Sequence, residues 1–237
     1  MYEFDSFKSN ISSQILYGEK FKILKRKKEF LKIKTNYDNY IGYIKKSNFD
    51  DKFKKTHKVS VLKSMIYKKT NGLKKSKINK YLPFLSAIEI IKQENNFVMF
   101  EKNKWIKFND LEIINKRNMD FTKILKFFLN CKYKWGGKSF DGIDCSALLQ
   151  IFYKFNNKFF PRDTIDQVKI KKGFINKKVF KKGNIIFWRG HVAICLNSND
   201  LIHAYGPKKK VLIMPINKTI KLIEKTANLK IIKVVSI

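Results

Sequence analysis

The chain has few of the features that mark a secreted, disulfide-stabilised or membrane-spanning protein. Its 237 residues include three cysteines, an odd number that argues against a disulfide framework. They contain no run of about 18 uncharged apolar residues, so we expect no membrane span. The first residues are acidic and lack the apolar core of a secretory signal, so we expect the protein to work in the cytoplasm.

Acidic residues are also scarce, with 19 Asp and Glu against 52 Lys and Arg, for a formal net charge of +33. Such a charge can indicate a nucleic-acid or anionic-surface interface. However, the excess is nearly all lysine spread along the chain, and arginine occurs only at positions 26, 117, 162 and 189. Because specific recognition of phosphates and bases usually relies on the forked guanidinium, we expect no specific nucleic-acid partner.

One short stretch, Asp144-Cys145-Ser146, has the pattern of a nucleophile at the start of a helix. The apolar residues that follow, up to position 155, have helical spacing with no glycine or proline between them. A cysteine at a helix N-terminus lies beside unpaired backbone N–H groups and the positive end of the helix dipole. Both favour the thiolate, which is the nucleophilic form, and Asp144 can cap the helix.

A cysteine nucleophile needs a base, and the chain offers three histidines. His191 opens a strand-like segment, a turn signal follows at residues 197–200, and His203 lies in the next short strand. A hairpin would bring these two imidazoles onto neighbouring strands. His57 follows a charged stretch and fits a solvated surface histidine.

Several ordered blocks between residues 120 and 215 together resemble the NlpC-like cell-wall cysteine peptidases, a papain-like family. The blocks are Tyr133-Lys134-Trp135-Gly136-Gly137, Asp144-Cys145-Ser146, Pro161-Arg162-Asp163-Thr164 with Gln167, residues 182–188, residues 190–194 and residues 202–204. The departures are small: Lys182, Asn184 and an Ala147 where the family usually has glycine.

The resemblance implies a catalytic set of Cys145 as nucleophile, His191 as general base and His203 as the third member that orients the base. It implies no metal and no cofactor. Cys131 and Cys195 lack the turn-to-helix setting, so we expect both to be small apolar core thiols.

The resemblance also implies substrate-binding roles around the nucleophile. Tyr133 would lie beside Cys145 and help to hold the oxyanion. Asp144 and Ser146 would line the S2 pocket, which takes the second residue before the scissile bond. If that residue has a free α-amine, Asp144 can pair with it, a role that competes with capping the helix. Trp135 would shape the loop before the nucleophile, and Arg162 would either be structural or meet a substrate carboxylate.

The residues before this region predict small β-domains. Residues 1–50 contain short alternating segments and resemble a bacterial SH3-like domain. Residues 57–115 look like a second, divergent copy after a charged linker at 51–56. With a peptidase domain at 118–237, the predicted class is α+β, a papain-like cysteine peptidase domain preceded by two small SH3-like β-barrels.

Individual elements are predicted as follows. The first domain should hold strands at 15–24, 30–35 and 40–44. The third should hold helices at 118–130 and after Cys145, a loop-rich connection at 156–183, and strands at 184–188, 191–196, 201–205, 210–215 and 230–236. Residues 218–227 form either a short helix or a crossing loop between the last two strands.

The activity implied by the resemblance is hydrolysis of γ-D-glutamyl-diamino acid bonds in peptidoglycan stem peptides. SH3-like domains before the catalytic domain resemble the dipeptidyl-peptidase branch, which acts on free murein peptides with an N-terminal L-Ala. An endopeptidase on intact peptidoglycan is the alternative within enzymes. A wall-binding module with an inactive peptidase domain is the alternative outside them, and the diamino acid and oligomeric state stay open.

Overall fold

The computed structural model describes residues 1–47, 49, 52–69, 75–170, 173–174 and 179–237. The chain divides into two compact units, Met1–Arg117 and Asn118–Ile237. Parts of the predicted organisation lie outside the described residues, namely Asp50 and Asp51 at the first domain boundary, residues 70–74, and residues 171–172 and 175–178. The predicted domain limits, 1–50, 57–115 and 118–237, stay predictions. Within the described ranges, no helix has the length and apolar character needed to cross a bilayer.

The first unit is built from short antiparallel strands. They are β1 (Phe21–Arg26), β2 (Phe30–Thr35), β3 (Ile41–Lys45), β4 (His57–Val59), β5 (Lys63–Lys69), β6 (Lys75–Pro83), β7 (Ala87–Ile88), β8 (Lys92–Glu94), β9 (Phe97–Glu101), β10 (Lys104–Lys107) and β11 (Leu111–Ile113). They form sheets in the orders β1-β2-β3, β6-β5-β10-β9-β8 and β11-β4-β7.

Alternation of side chains explains how these strands bury apolar area. In β2, Leu31 and Ile33 are buried against Met1, and the alternating Lys32 and Lys34 point away from this cluster. A separate cluster includes Val59, Val98 and Ile106. The first predicted strand was placed too early, because a turn at residues 17–18 precedes β1.

The second unit contains the candidate site. Its elements are α1 (Phe121–Lys126), β12 (Lys138–Ser139), β13 (Gly142–Ile143), α2 (Cys145–Phe155), α3 (Thr164–Gln167), β14 (Asn184–Trp188), β15 (His191–Cys195), β16 (Asp200–Tyr205), β17 (Lys210–Pro215), α4 (Ile216–Ala227) and β18 (Lys233–Ser236). Five strands form an antiparallel sheet in the order β17-β16-β15-β14-β18, and α2 packs against β15 and β16.

Most predicted elements of this unit are confirmed, with shifted ends. The helix expected at 118–130 is only α1, since Asp120 caps it by accepting from the backbone N–H groups of Thr122 and Lys123 and turns follow Lys126. The last strand begins at Lys233, not at residue 230. Residues 218–227, predicted to be either a helix or a loop, belong to helix α4, which begins two residues earlier than expected.

The hairpin that carries both histidines is also confirmed. Strands β15 and β16 pair antiparallel, with Ile194 opposite Ile202 and Cys195 opposite Leu201. Continuing this register places His191 and His203 on the same face of the sheet, two positions apart diagonally. On the other side of β15, Trp188 of β14 lies directly opposite His191.

Candidate active site

The thiol of Cys145 begins helix α2 and lies against the start of β15. Asp144 is extended and caps α2, with its carboxylate accepting from the Ala147 N–H at 2.8 Å. The Cys145 Sγ lies 4.0 Å from the Gly190 carbonyl oxygen and accepts a hydrogen bond from the Val192 N–H. The sulfur therefore contacts the backbone on both sides of His191.

Opposing influences act on the ionisation of this thiol. Burial raises the pKa of Cys145 to about 12, and the nearby Asp144 carboxylate acts in the same direction. The backbone N–H groups of Val192 and Ser146 and the Arg162 guanidinium lower it. Because burial dominates, the resting group is a neutral thiol at pH 7, and its proton must leave when it attacks.

The two histidines of the hairpin form a pair in which His203 is fully buried and His191 is half-buried. Nε2 of His191 lies 2.9 Å from Nδ1 of His203, a hydrogen-bond distance. Burial lowers the pKa of His191 to about 4. Burial, with His191 as a second cause, lowers the pKa of His203 to about 3, so both rings are neutral at pH 7. A neutral imidazole beside a neutral thiol can act as a general base.

Aromatic rings cover this pair. Tyr205 stacks on His203 with ring centroids 4.8 Å apart and planes 9° apart, and its centroid is 5.7 Å from that of His191. The Trp188 ring lies 5.6 Å from the His191 ring. Sequence reasoning missed both residues, although their positions carried a signal. Tyr205 follows His203 by two residues on the same strand, which places both side chains on one face.

Tyr133 lies close enough to Cys145 for a charge on one to affect the other. Burial raises the pKa of its phenol, and nearby Cys145 and Asp144 raise it further when they are charged. The phenol therefore stays protonated and can donate a hydrogen bond at neutral pH. The backbone at Tyr133 is held in place by Lys209, whose carbonyl accepts from the Tyr133 N–H at 2.8 Å.

Asp144, Ser146 and Arg162 were predicted to bind substrate, and the structure shows them bonded to one another inside the protein. Arg162 donates from Nη1 to the Asp144 Oδ1 at 3.0 Å and from Nη2 to Oδ2 at 2.6 Å. Its Nη1 also donates to the Ser146 Oγ at 2.8 Å. All three side chains are buried and the Asp144 oxygens accept from internal donors, so the cap role expected for Asp144 is observed, and its pairing with a substrate amine stays a prediction.

The loop before the nucleophile brings Trp135 to the surface. Its side chain is 65% exposed, so it is available to a ligand and does not fill a core. The two following glycines serve the chain's own packing. A Cβ on Gly137 would lie 2.3 Å from the Gly142 carbonyl oxygen, and Gly136 has φ of 72°. The Gly136 N–H donates to the Asp144 Oδ2 at 2.9 Å.

The environments of the other two cysteines and of the third histidine differ from one another. Cys195 is a fully buried core thiol, as expected. Cys131 is only half-buried and lines a cavity of about 370 Å³, so the core assignment for it is wrong. His57 is half-buried in β4, with Nδ1 3.0 Å from the Thr56 Oγ1, and is therefore less exposed than the solvated surface histidine that was predicted.

Comparison with known proteins finds a family match for each end of the chain. Residues 130–226 match the NlpC/P60 family, and residues 2–49 match the bacterial dipeptidyl-peptidase SH3 domain. A gamma-D-glutamyl-L-lysine dipeptidyl-peptidase of Bacillus subtilis (strain 168) is 25% identical over 236 residues, which cover 89% of this chain and 77% of that protein. A protein of the same name from Bacillus cereus (strain ATCC 10987 / NRS 248) is 25% identical over 241 residues, covering 88% and 72%.

A solved structure shares the fold. The crystal structure of an NlpC/P60 family protein from Bacillus cereus ATCC 10987 matches with a TM-score of 0.73 and 20% identity, covering 87% of this chain and 77% of that chain. At this identity the likeness shows the fold alone, and the barrel form of residues 57–115 stays a prediction. Residues 130–226 therefore belong to the NlpC/P60 family, with its papain-like fold, and follow an SH3-like domain at the N-terminal end of the chain.

Proposed function

We propose that this chain is a cysteine peptidase that hydrolyses γ-D-glutamyl-diamino acid bonds in peptidoglycan stem peptides. The observation that carries the proposal is the Cys145 thiol at the start of α2, in contact with the backbone on both sides of His191, whose ring bonds to His203. Family membership and the names of the two Bacillus relatives support this class of enzyme and bond.

The first step is attack of the sulfur on the γ-carbonyl carbon of D-glutamate. His191 uses Nε2 toward His203, so its Nδ1 takes the thiol proton as the S–C bond forms. Both partners start neutral, and charge separates only as the reaction begins. His203 accepts a hydrogen bond from the resulting imidazolium, which fixes its orientation and stabilises its charge.

The oxyanion that forms on the carbonyl oxygen needs hydrogen-bond donors. The Cys145 backbone N–H lies at the helix N-terminus, and the protonated Tyr133 phenol lies beside the thiol. When the tetrahedral carbon collapses, the C–N bond breaks, and the diamino acid leaves with the proton from His191. A thioester to Cys145 remains on the enzyme.

Water resolves the thioester. His191 takes a proton from the water as its oxygen bonds to the acyl carbon, and that proton returns to the sulfur as the S–C bond breaks. The products are L-Ala-D-Glu and the free diamino acid or its peptide. The reaction balances with water alone as co-reactant, so the proposal includes no metal or cofactor.

Preference for a free stem peptide with an N-terminal L-Ala is the finer part of the proposal. It is supported by the names of the relatives and by the matched dipeptidyl-peptidase SH3 domain. The exposed Trp135 supplies a surface against which the peptide can pack near the nucleophile. Asp144 stays the candidate partner of the substrate amine, which would then share this carboxylate with Arg162.

The test is mass spectrometry of L-Ala-γ-D-Glu-meso-diaminopimelate after incubation with purified protein, beside its L-lysine analogue and an N-acetylated copy. Wild type should release L-Ala-D-Glu from the free-amine peptides only. Cys145→Ala should release none, and the control Cys131→Ala should act as wild type. Cleavage of the blocked peptide as well would favour an endopeptidase on larger wall fragments. No cleavage by folded wild type would favour a wall-binding module with an inactive peptidase domain.

A further inference from the structure

Asp144 and Arg162 form a buried ion pair next to Cys145. In the proposed reaction steps, neither side chain serves as nucleophile, acid or base. The Arg162 side chain is 1% exposed and the Asp144 side chain 7% exposed. Nη1 and Nη2 of Arg162 each donate to one Asp144 carboxylate oxygen, so the pair is bidentate. Burying such a pair is costly in desolvation, so its position directly beside the reactive thiol calls for a reason.

The carboxylate joins separate parts of the site. It caps α2 through the Ala147 N–H, holds the loop before the nucleophile through the Gly136 N–H, and accepts from the Ser146 Oγ at 3.0 Å. The cap geometry requires an acceptor one residue before Cys145. A carboxylate supplies that acceptor, but it also brings a negative charge close to the sulfur.

This negative charge works against the nucleophile. A thiolate forming at Cys145 is repelled by Asp144 and attracted by Arg162, and these two influences have opposite signs. Among the described residues, the neutral Tyr133 phenol also lies close enough to interact with a charge on the sulfur, and His191 lies between two residues whose backbone contacts the sulfur. Arg162 is therefore the full positive charge placed to offset the cap.

We propose that Arg162 is a positioning residue for Cys145, which holds the Asp144 cap in place and neutralises its charge beside the reacting sulfur. Gln167 supports the same segment, because its Nε2 donates to the Ser146 and Pro161 carbonyl oxygens at 2.9 Å each. The proposal rests on Cys145 being the nucleophile of the proposed function. Its test reads thiol reactivity, so it can succeed or fail independently of peptide cleavage.

The experiment measures the rate of iodoacetamide alkylation of Cys145 against pH, read from its tryptic peptide by mass spectrometry. Asp144→Asn keeps a capping acceptor and removes the negative charge, so alkylation at pH 7 should be about tenfold faster, with its profile moved to lower pH. Arg162→Met leaves the carboxylate unopposed, so alkylation should be about tenfold slower, with the profile moved to higher pH.

Further variants separate this electrostatic role from a structural one. The double variant Asp144→Asn/Arg162→Met should return close to the wild-type profile, and Arg162→Lys should stay closer to wild type than Arg162→Met. Asp166→Asn, an exposed carboxylate on α3, is the matched control and should leave the profile unchanged. Thermal melts establish that each variant is folded.

Opposite shifts of the two single variants, with recovery in the double variant, are the expected result. If both single variants shift the profile in the same direction, or if the double variant is no closer to wild type, the ion pair is structural only and the proposal is overturned. If Arg162→Met does not fold, Asp144→Asn and Arg162→Lys still decide, because a purely structural pair predicts no movement of the profile to lower pH in Asp144→Asn, whatever its effect on the rate.

Discussion

Nε2 of His191 lies 2.9 Å from Nδ1 of His203, and His203 is fully buried while His191 is half-buried. Only one arrangement of protons lets His191 act as a base: its Nε2–H donates to His203, and its Nδ1 keeps a lone pair. In this arrangement the proton on His203 is at Nε2, which is buried and has no hydrogen-bond partner among the described residues. The reactive tautomer therefore leaves a buried N–H group unpaired, which costs free energy. The packing of the aromatic rings around the pair must offset this cost.

The role of His203 can be tested by removing its acceptor nitrogen. His203→Ala should lower kcat by about 10²-fold, because His191 loses the group that fixes its tautomer and stabilises its charge. His203→Asn offers an amide oxygen as acceptor and should recover part of that loss. Steady-state kinetics on the free tripeptide measure both variants. Their KM should stay close to that of wild type. Equal activity of His203→Ala and wild type would remove His203 from the catalytic set.

The aromatic cover should set the pH range of the reaction. Because burial lowers the pKa of His191 to about 4, the base stays neutral down to mildly acidic pH, and kcat/KM should fall only well below pH 6.5. Tyr205→Leu admits water to the pair, so the acidic limb should move to higher pH. Tyr153→Leu is the matched control, since Tyr153 stacks on Phe160 and should affect stability alone. An unmoved limb in Tyr205→Leu would contradict the assigned role.

The same two pKa values predict how stability depends on pH. In the unfolded chain both histidines take up protons near pH 6.5, whereas the folded rings stay neutral to about pH 4 and about pH 3. The unfolded state therefore binds more protons in this window, and stability should fall as the pH drops from about 6.5 toward 4.

The matched variant for this effect is His191→Asn/His203→Asn. Its stability should depend less on pH in the same window, by on the order of 1 to 3 kcal/mol in the difference from wild type. Urea unfolding at pH 7 and pH 4.5 gives both values. Identical pH dependence of the two proteins would show that the rings are already protonated in the folded state.

A pair of glycines near the site should respond differently to alanine. In Gly137→Ala the new Cβ would lie 2.3 Å from the Gly142 carbonyl oxygen, so the loop before the nucleophile must move. At Gly190 a Cβ would meet nothing within 4 Å, and the cost is only that of φ at 74°. We expect Gly190→Ala to cost about 1 kcal/mol and Gly137→Ala clearly more, measured by urea unfolding. A smaller loss in Gly137→Ala would contradict the close packing.

Local patterns were enough to predict the elements that carry the reaction. The spacing of apolar residues after Cys145 predicted α2, and the turn between two apolar segments predicted the hairpin of His191 and His203. These are features of short segments, in which hydrophobic period and turn residues act together. The structure confirms both elements, and it brings the cysteine and the two histidines into one centre.

Long-range partners could not be predicted in the same way. The pairing of Arg162 with Asp144 depends on how the loop after α2 returns to its N-terminus, and no local pattern carries that information. A carboxylate before a cysteine fits a substrate pocket as well as a helix cap. The strand placed at 15–24 failed for another reason, because a turn interrupts an otherwise apolar segment before β1.

The most direct test of the proposed reaction is to trap the covalent intermediate. Wild type is mixed with L-Ala-γ-D-Glu-meso-diaminopimelate, quenched in acid within the first turnover, and digested for peptide mass spectrometry. We expect an L-Ala-D-Glu acyl group on the peptide that contains Cys145, and we expect none when the Cys145→Ala variant is used. Hydrolysis that continues in Cys145→Ala, or an acyl group on Cys131 in place of Cys145, would contradict the proposed mechanism.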